Sequence, residues 1–192
     1  MKTKTILILI FLGIFLSAGC LGPKYDDPNP ARPVFGNPDA NIIVEDFSDF
    51  QCPACGAAEP TVQQVLKLYS DKILFKYKQF PLVKIHQNAF NSAMASECAN
   101  DQNKFWEMHD ILFKNQETLD RGRLSGYAKD IGLNMELFEA CMNSNAKSSI
   151  VNKEMIEGVS RGVDSTPTFF INGEKIQNWG FLKTEIEKKL KK

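Results

Sequence analysis

A chain of 192 residues with no net charge is long enough for one well-buried domain and an appendage, and it projects no field that would draw it to nucleic acid or to anionic lipid. It has five cysteines, an odd number, and two histidines. A zinc site would need two matched ligand pairs, and only one Cys-x-x-Cys is present, so neither a metal nor a cofactor is expected.

The chain opens with a targeting pattern. Lys2 and Lys4 precede an apolar run of 11 residues, Ile6 to Leu16. That is the length of a signal-peptide core and well short of the ~20 residues of a membrane span. "LSAGC" follows, and its small residues before Cys20 resemble the lipobox of exported lipoproteins, in which the cysteine is lipidated and becomes the mature N-terminus. Ser17 holds the place three before the cysteine where leucine is usual, and Leu16 lies one further back. The alternatives are an ordinary cleaved signal and an uncleaved anchor; in each case the chain is exported. Loss of residues 1–19 removes Lys2 and Lys4 and brings the net charge to −2. With Cys20 lipidated, four cysteines remain, and outside the cytoplasm they can pair. The expected location is the outer face of the cytoplasmic membrane.

Residues 20–40 hold five of the nine prolines and show no apolar periodicity, which predicts a semi-rigid spacer before a folded unit that starts near Asn41. "NIIVEDF" is a strand candidate. Val62, Val65, Leu66 and Tyr69 fall on one face of a helix, and "KILFKYKQF" alternates as a second strand. Strand, helix and strand make a βαβ unit with parallel strands, covering 41–84. Between 85 and 160 the periodicity is helical throughout, in four or five segments. Residues 161–192 return to β: Asn172-Gly173 between apolar runs predicts a hairpin, and Phe181 to Leu190 a closing helix. The basic tail "EIEKKLKK" suits a solvated helix end.

The chemistry concentrates in "DFQCPAC". Pro53 fits the first helical position, which makes Cys52 the N-cap at the positive end of the Val62–Tyr69 helix. Unpaired amides there favour a thiolate at Cys52, the exposed sulfur, while Cys55 lies one turn further in and buried. Pro60 removes one hydrogen bond of that helix and predicts a kink. A structural disulfide across Cys52–Cys55 would close so small a loop that it stabilises little. A redox couple is the better reading.

With that pair placed after a strand and at a helix start, the chain resembles the DsbA-like branch of the thioredoxin superfamily. The likeness is carried by "EDFSDFQCPAC", "KFWEMHDILFKNQ" and "GVDSTPTFFINGEKI". It implies an α/β, thioredoxin-like fold with an inserted helical subdomain. It also implies a cis bond at Thr166-Pro167, with the residue before the proline offering its backbone to an extended substrate. Glu45 aligns with the acidic residue that takes the proton of the buried cysteine, with Asp46 as competitor. The dipeptide between the cysteines is Pro-Ala, without the histidine of the strongest oxidant of the family, which implies a milder oxidant.

Cys98 and Cys141 lie on apolar helix faces, and export favours a structural disulfide between them over two buried thiols. His109 reads as a core histidine and His86 as a helix cap. The expected activity is exchange of the Cys52–Cys55 disulfide with cysteines of exported proteins, as an oxidant. The protein is expected to be a monomer held by its lipid and reoxidised by a membrane redox partner. A reductase or isomerase fed from the membrane, and a peptide-binding lipoprotein on the same scaffold, are the competing readings.

Overall fold

The computed structural model describes residues 25–191; the expected targeting segment and Cys20 lie outside them. A five-stranded mixed sheet forms the centre, in the order β1-β3-β2-β4-β5. Strands β2 (Ile42–Ser48) and β3 (Ile73–Gln79) pair in parallel around helix α1 (Pro53–Tyr69), as the βαβ reading requires. β4 (Thr168–Ile171) runs antiparallel to β2 and turns through Asn172-Gly173 into β5 (Glu174–Lys175). Both turn residues have positive φ, 50° and 81°, the backbone a tight hairpin demands and the reason for Asn-Gly there.

Five helices lie between β3 and β4: α2 (Ala89–Asn100), α3 (Phe105–Lys114), α4 (Arg121–Asp130), α5 (Met135–Ser144) and α6 (Ser148–Ser160). A disulfide joins Cys98 on α2 to Cys141 on α5. After β5, a 3-10 turn (Trp179–Phe181) leads into α7 (Leu182–Leu190).

Strand alternation divides the core. Ile42 and Val44 of β2, Phe75 and Tyr77 of β3 and Phe169 and Ile171 of β4 pack with Val62, Val65 and Leu66 of α1. On the opposite face Phe47, Phe80, Val163 and Phe170 form a smaller cluster under α6. Gly158 of α6 is what lets that helix sit so close: a Cβ there would lie 2.6 Å from the Phe80 ring.

The folded unit begins earlier than the proline count suggests. Val34–Gly36 forms β1, an edge strand antiparallel to β3, and the segment before it is strapped to the helical block. Arg32 reaches the buried carboxylates of Glu97 and Glu154. The buried ammonium of Lys147 meets Asp27 and Asp101 at 2.6 and 2.5 Å, and the Tyr25 hydroxyl donates to Asp101. Of the 20–40 spacer, residues 25–40 therefore belong to the domain.

Candidate active site

β2 ends in a turn that delivers the cysteine pair to the N-terminus of α1. Cys52 is the N-cap, with extended backbone (φ −74°, ψ 121°), and Pro53 fills N1, where a missing N–H costs nothing. The Asp49 carboxylate holds the turn from below. Its Oδ1 accepts from the Gln51 N–H at 2.7 Å, and its Oδ2 accepts from the Leu82 N–H at 2.9 Å and meets His86 Nδ1 at 2.7 Å. His86 is thus a partner of Asp49 and not a cap; Asn88 is the cap residue of α2.

The two sulfurs are unbonded, and both are buried: Cys52 is 6% exposed and Cys55 2%. Sequence position led to the expectation of an open Cys52. In the structure the thiol is covered by the loop that carries Pro167 and lies 3.5 Å from the Thr166 carbonyl oxygen. The Thr166-Pro167 peptide is cis. Beside it runs a groove of about 370 Å³ lined by Ala54, Thr166, Pro167, Ile176 and Trp179 among others.

The pair is electrostatically split. The Cys52 thiol is pulled down to about 5, most of all by the hydrogen bond Cys55 gives its sulfur and further by Thr166 and the N–H groups of Cys55 and Ala54, against the opposing effect of burial. Cys55 is pushed up, first by burial, then by its bond to Cys52 and by the charge of Asp46. The helix end contributes to the Cys52 thiolate, as position alone predicts, but the neighbouring thiol contributes more.

The carboxylate beside Cys55 is Asp46. Glu45 points to the other face of the sheet, where it accepts from Arg161 at 2.8 Å, with the guanidinium stacked 4.0 Å over Phe170. Asp46 is 3% exposed, one of its oxygens has no partner, and burial raises its pKa well above the usual carboxylate range, with Glu59 adding to the effect. The expectation for Glu45 is corrected by side-chain alternation: Asp46 shares the face of Ile42 and Val44, which is the buried one.

His109 is a core residue, 1% exposed, with its ring edge-on to Tyr77 and Phe113 and Nδ1 2.9 Å from Asp110. Among the described residues, Glu59, His109 and Asp110 bring ligand-type atoms within 4.8 Å of one another. Gln63 donates to both of those carboxylates and Asp110 meets the histidine, so the group satisfies itself. No helix of the described residues is long and apolar enough to cross a membrane.

The family model described as Thioredoxin matches residues 28–188. The chain belongs to the thioredoxin family. The thioredoxin-like fold implied by three stretches of sequence is shared by solved structures. BdbD from Bacillus subtilis in its oxidised form is 27% identical, with a TM-score of 0.73 over 84% of this chain and 94% of that one. The thiol-disulfide exchange protein alpha-DsbA2 from Wolbachia pipientis, 18% identical, shares the fold with a TM-score of 0.71 over 83% of this chain and 88% of that one. A curated relative, Na(+)/H(+) antiporter NhaA 1 from Mycobacterium sp. (strain KMS), is 34% identical over 142 residues. Those residues are 73% of this chain but 23% of the antiporter, so the thioredoxin family member matches one segment of a much longer protein.

The structure brings together Cys52, Cys55, Thr166 and Pro167, and leaves Glu45 outside. Sequence reasoning gave no role to Gln116, whose side-chain amide donates to the carbonyls of Phe50 and Cys52 at 2.9 and 2.8 Å. Its only sequence signal is its place at the end of "KFWEMHDILFKNQ".

Proposed function

We propose that this protein is an extracytoplasmic thiol–disulfide oxidoreductase that exchanges a Cys52–Cys55 disulfide with cysteines of exported proteins, as an oxidant. A substrate thiolate attacks Cys52 Sγ and the Cys52–Cys55 bond breaks. Cys55 leaves and takes a proton, for which the buried Asp46, its pKa raised by desolvation, is the donor. A second substrate thiolate then attacks the substrate sulfur of the mixed disulfide, and Cys52 departs as a thiolate. The substrate loses two electrons and two protons; the pair gains both electrons and, through Asp46, one proton, Asp46 is reprotonated by one of the substrate's protons, and the other proton goes to solvent.

The observation that carries this reading is the geometry of the pair: Cys52 caps α1, 3.5 Å from the Thr166 carbonyl oxygen and beside the cis Thr166-Pro167 bond, with Cys55 buried one turn on, and the Cys52 thiol is accordingly drawn down to about 5 and Cys55 raised. A thiol of low pKa is a good leaving group, and a stabilised thiolate favours the reduced pair, which makes the disulfide an oxidant. The groove beside Thr166-Pro167 offers an extended substrate the Thr166 backbone and an aromatic wall at Trp179. Targeting rests on the N-terminal pattern, with Cys20 as lipid attachment site. We take the protein to be a monomer reoxidised by a membrane partner.

Cys52→Ser decides between catalysis and binding. It is expected to abolish oxidation of a reduced, unfolded substrate; a variant that still oxidises it would sink the proposal. Cys55→Ala should accumulate mixed disulfides whose partners are the substrates. Equilibration with glutathione should give a potential more reducing than about −120 mV, because no histidine stands between the cysteines.

A further inference from the structure

Gln116 lies 64 residues from Cys52 in sequence, in the turn after α3, and reaches out of the helical block under the redox loop. Its backbone is fixed on the far side. Thr118 N–H donates to the Asn115 carbonyl at 2.9 Å, and the Tyr127 hydroxyl of α4 donates to the Thr118 carbonyl at 2.9 Å. One amide nitrogen then donates to two carbonyls of the loop, Phe50 at 2.9 Å and Cys52 at 2.8 Å. The Cys52 carbonyl also accepts the Gly56 N–H at 3.1 Å, the first hydrogen bond of α1.

Gly56 is the counterpart of this contact. A Cβ at position 56 would stand 2.0 Å from Gln116 Oε1 and 2.7 Å from its Cδ, so only glycine leaves the amide its place. The glycine is inside a helix, where it is less favourable than alanine. A helical glycine directly after the second cysteine, under a side chain from another subdomain, is thus explained by the amide it admits.

We propose that Gln116 is a positioning residue for thiol exchange: by holding the Phe50 and Cys52 carbonyls from the helical block, it fixes the N-cap backbone and with it the Cys52 sulfur against the Ala54 and Cys55 amides. Asp49 takes N–H groups of the same turn while Gln116 gives to its carbonyls, so the loop is held through both polarities. The donor also offsets the partial negative charge of a carbonyl next to a developing thiolate. Gln116 touches neither sulfur and acts through Cys52. The inference rests on Cys52 being the exchanging thiol.

The test uses the reduced protein with both cysteines and follows the rate of Cys52 alkylation against pH, with mass spectrometry to locate the label. Gln116→Met keeps the length of the side chain without the donor, and Gly56→Ala expels the amide while leaving Gln116 in the sequence. Both are expected to raise the Cys52 midpoint by roughly 0.5–1 unit and to make the pair more reducing against glutathione. Gly56→Ala should melt no lower than the parent, since alanine favours the helix. The double variant should shift no further than either single one, as two routes to one lost contact. If a folded variant titrates as the parent does, the clamp is overturned; if Gln116→Met does not fold, Gly56→Ala decides. A parent thiol that already titrates as ordinary cysteine overturns the exchange reading and the clamp together, whereas a low parent value moved by neither substitution overturns the clamp alone.

Discussion

At the seam between the N-terminal strap and the helical block, buried ions meet opposite ions. Arg32 lies between Glu97 and Glu154, and Lys147 between Asp27 and Asp101. Around the cysteine pair the arrangement is reversed. Asp46 is as deeply buried, one of its oxygens is unpartnered, and the charge that bears on it most is that of Glu59, of its own sign. The same kind of group, a carboxylate away from water, closes a structure in one place and stands beside a like charge in the other. Pairing decides which.

Breaking the seam should have the largest effect. Arg32→Met leaves Glu97 buried without its cation and Glu154 with Lys78 alone, and should cost about 3–5 kcal/mol, read by denaturant unfolding, with the Cys52 alkylation midpoint unmoved. Next comes the covalent link of the same block. The double variant Cys98→Ala, Cys141→Ala should lose about 2–4 kcal/mol, because the bond closes a loop with a sequence separation of 43. At the redox end the sign should invert: Asp46→Ala removes a carboxyl whose burial opposes folding and whose one oxygen is unpartnered, and reduced protein at pH 7 should gain roughly 1–3 kcal/mol. The same variant should oxidise substrate more slowly, by on the order of 100-fold, the usual contribution of a positioned acid.

The smallest effect sharpens the comparison by pH. Because the Asp46 pKa is raised in the folded protein, its penalty is full above the folded value, shrinks as the pH falls through that value, and is gone below the unfolded one. Parent and Asp46→Ala should therefore converge in stability below about pH 4. If the two remain equally far apart at pH 3.5 and pH 8, the gain is not electrostatic.

Much of this was legible in the sequence because periodicity is local. The βαβ unit, the five helices and the Asn172-Gly173 hairpin each follow from spacing over a dozen residues or fewer. β1 was missed for the opposite reason: three residues after Pro33 have no period, and their partner, Leu74 to Lys76, lies some forty positions on. The acid beside Cys55 was within reach, since alternation from Ile42 and Val44 leads to Asp46 and not Glu45. The strap was hidden behind its prolines, and nothing local marks its anchors Asp101, Glu97, Lys147 and Glu154 as buried. The Gln116 contact could not be seen from one sequence, because nothing local distinguishes that glutamine from its neighbours.

The docked strap changes what a lipid on Cys20 would do. Only residues 21–24 separate that cysteine from Tyr25, and five Cα steps reach at most roughly 18 Å. A domain of this size is roughly 40 Å across. On so short a leash the enzyme would hug the bilayer rather than sweep the space above it, and its encounters with a bilayer-borne redox partner would be lateral collisions in a plane. Clients would have to be caught as they emerge.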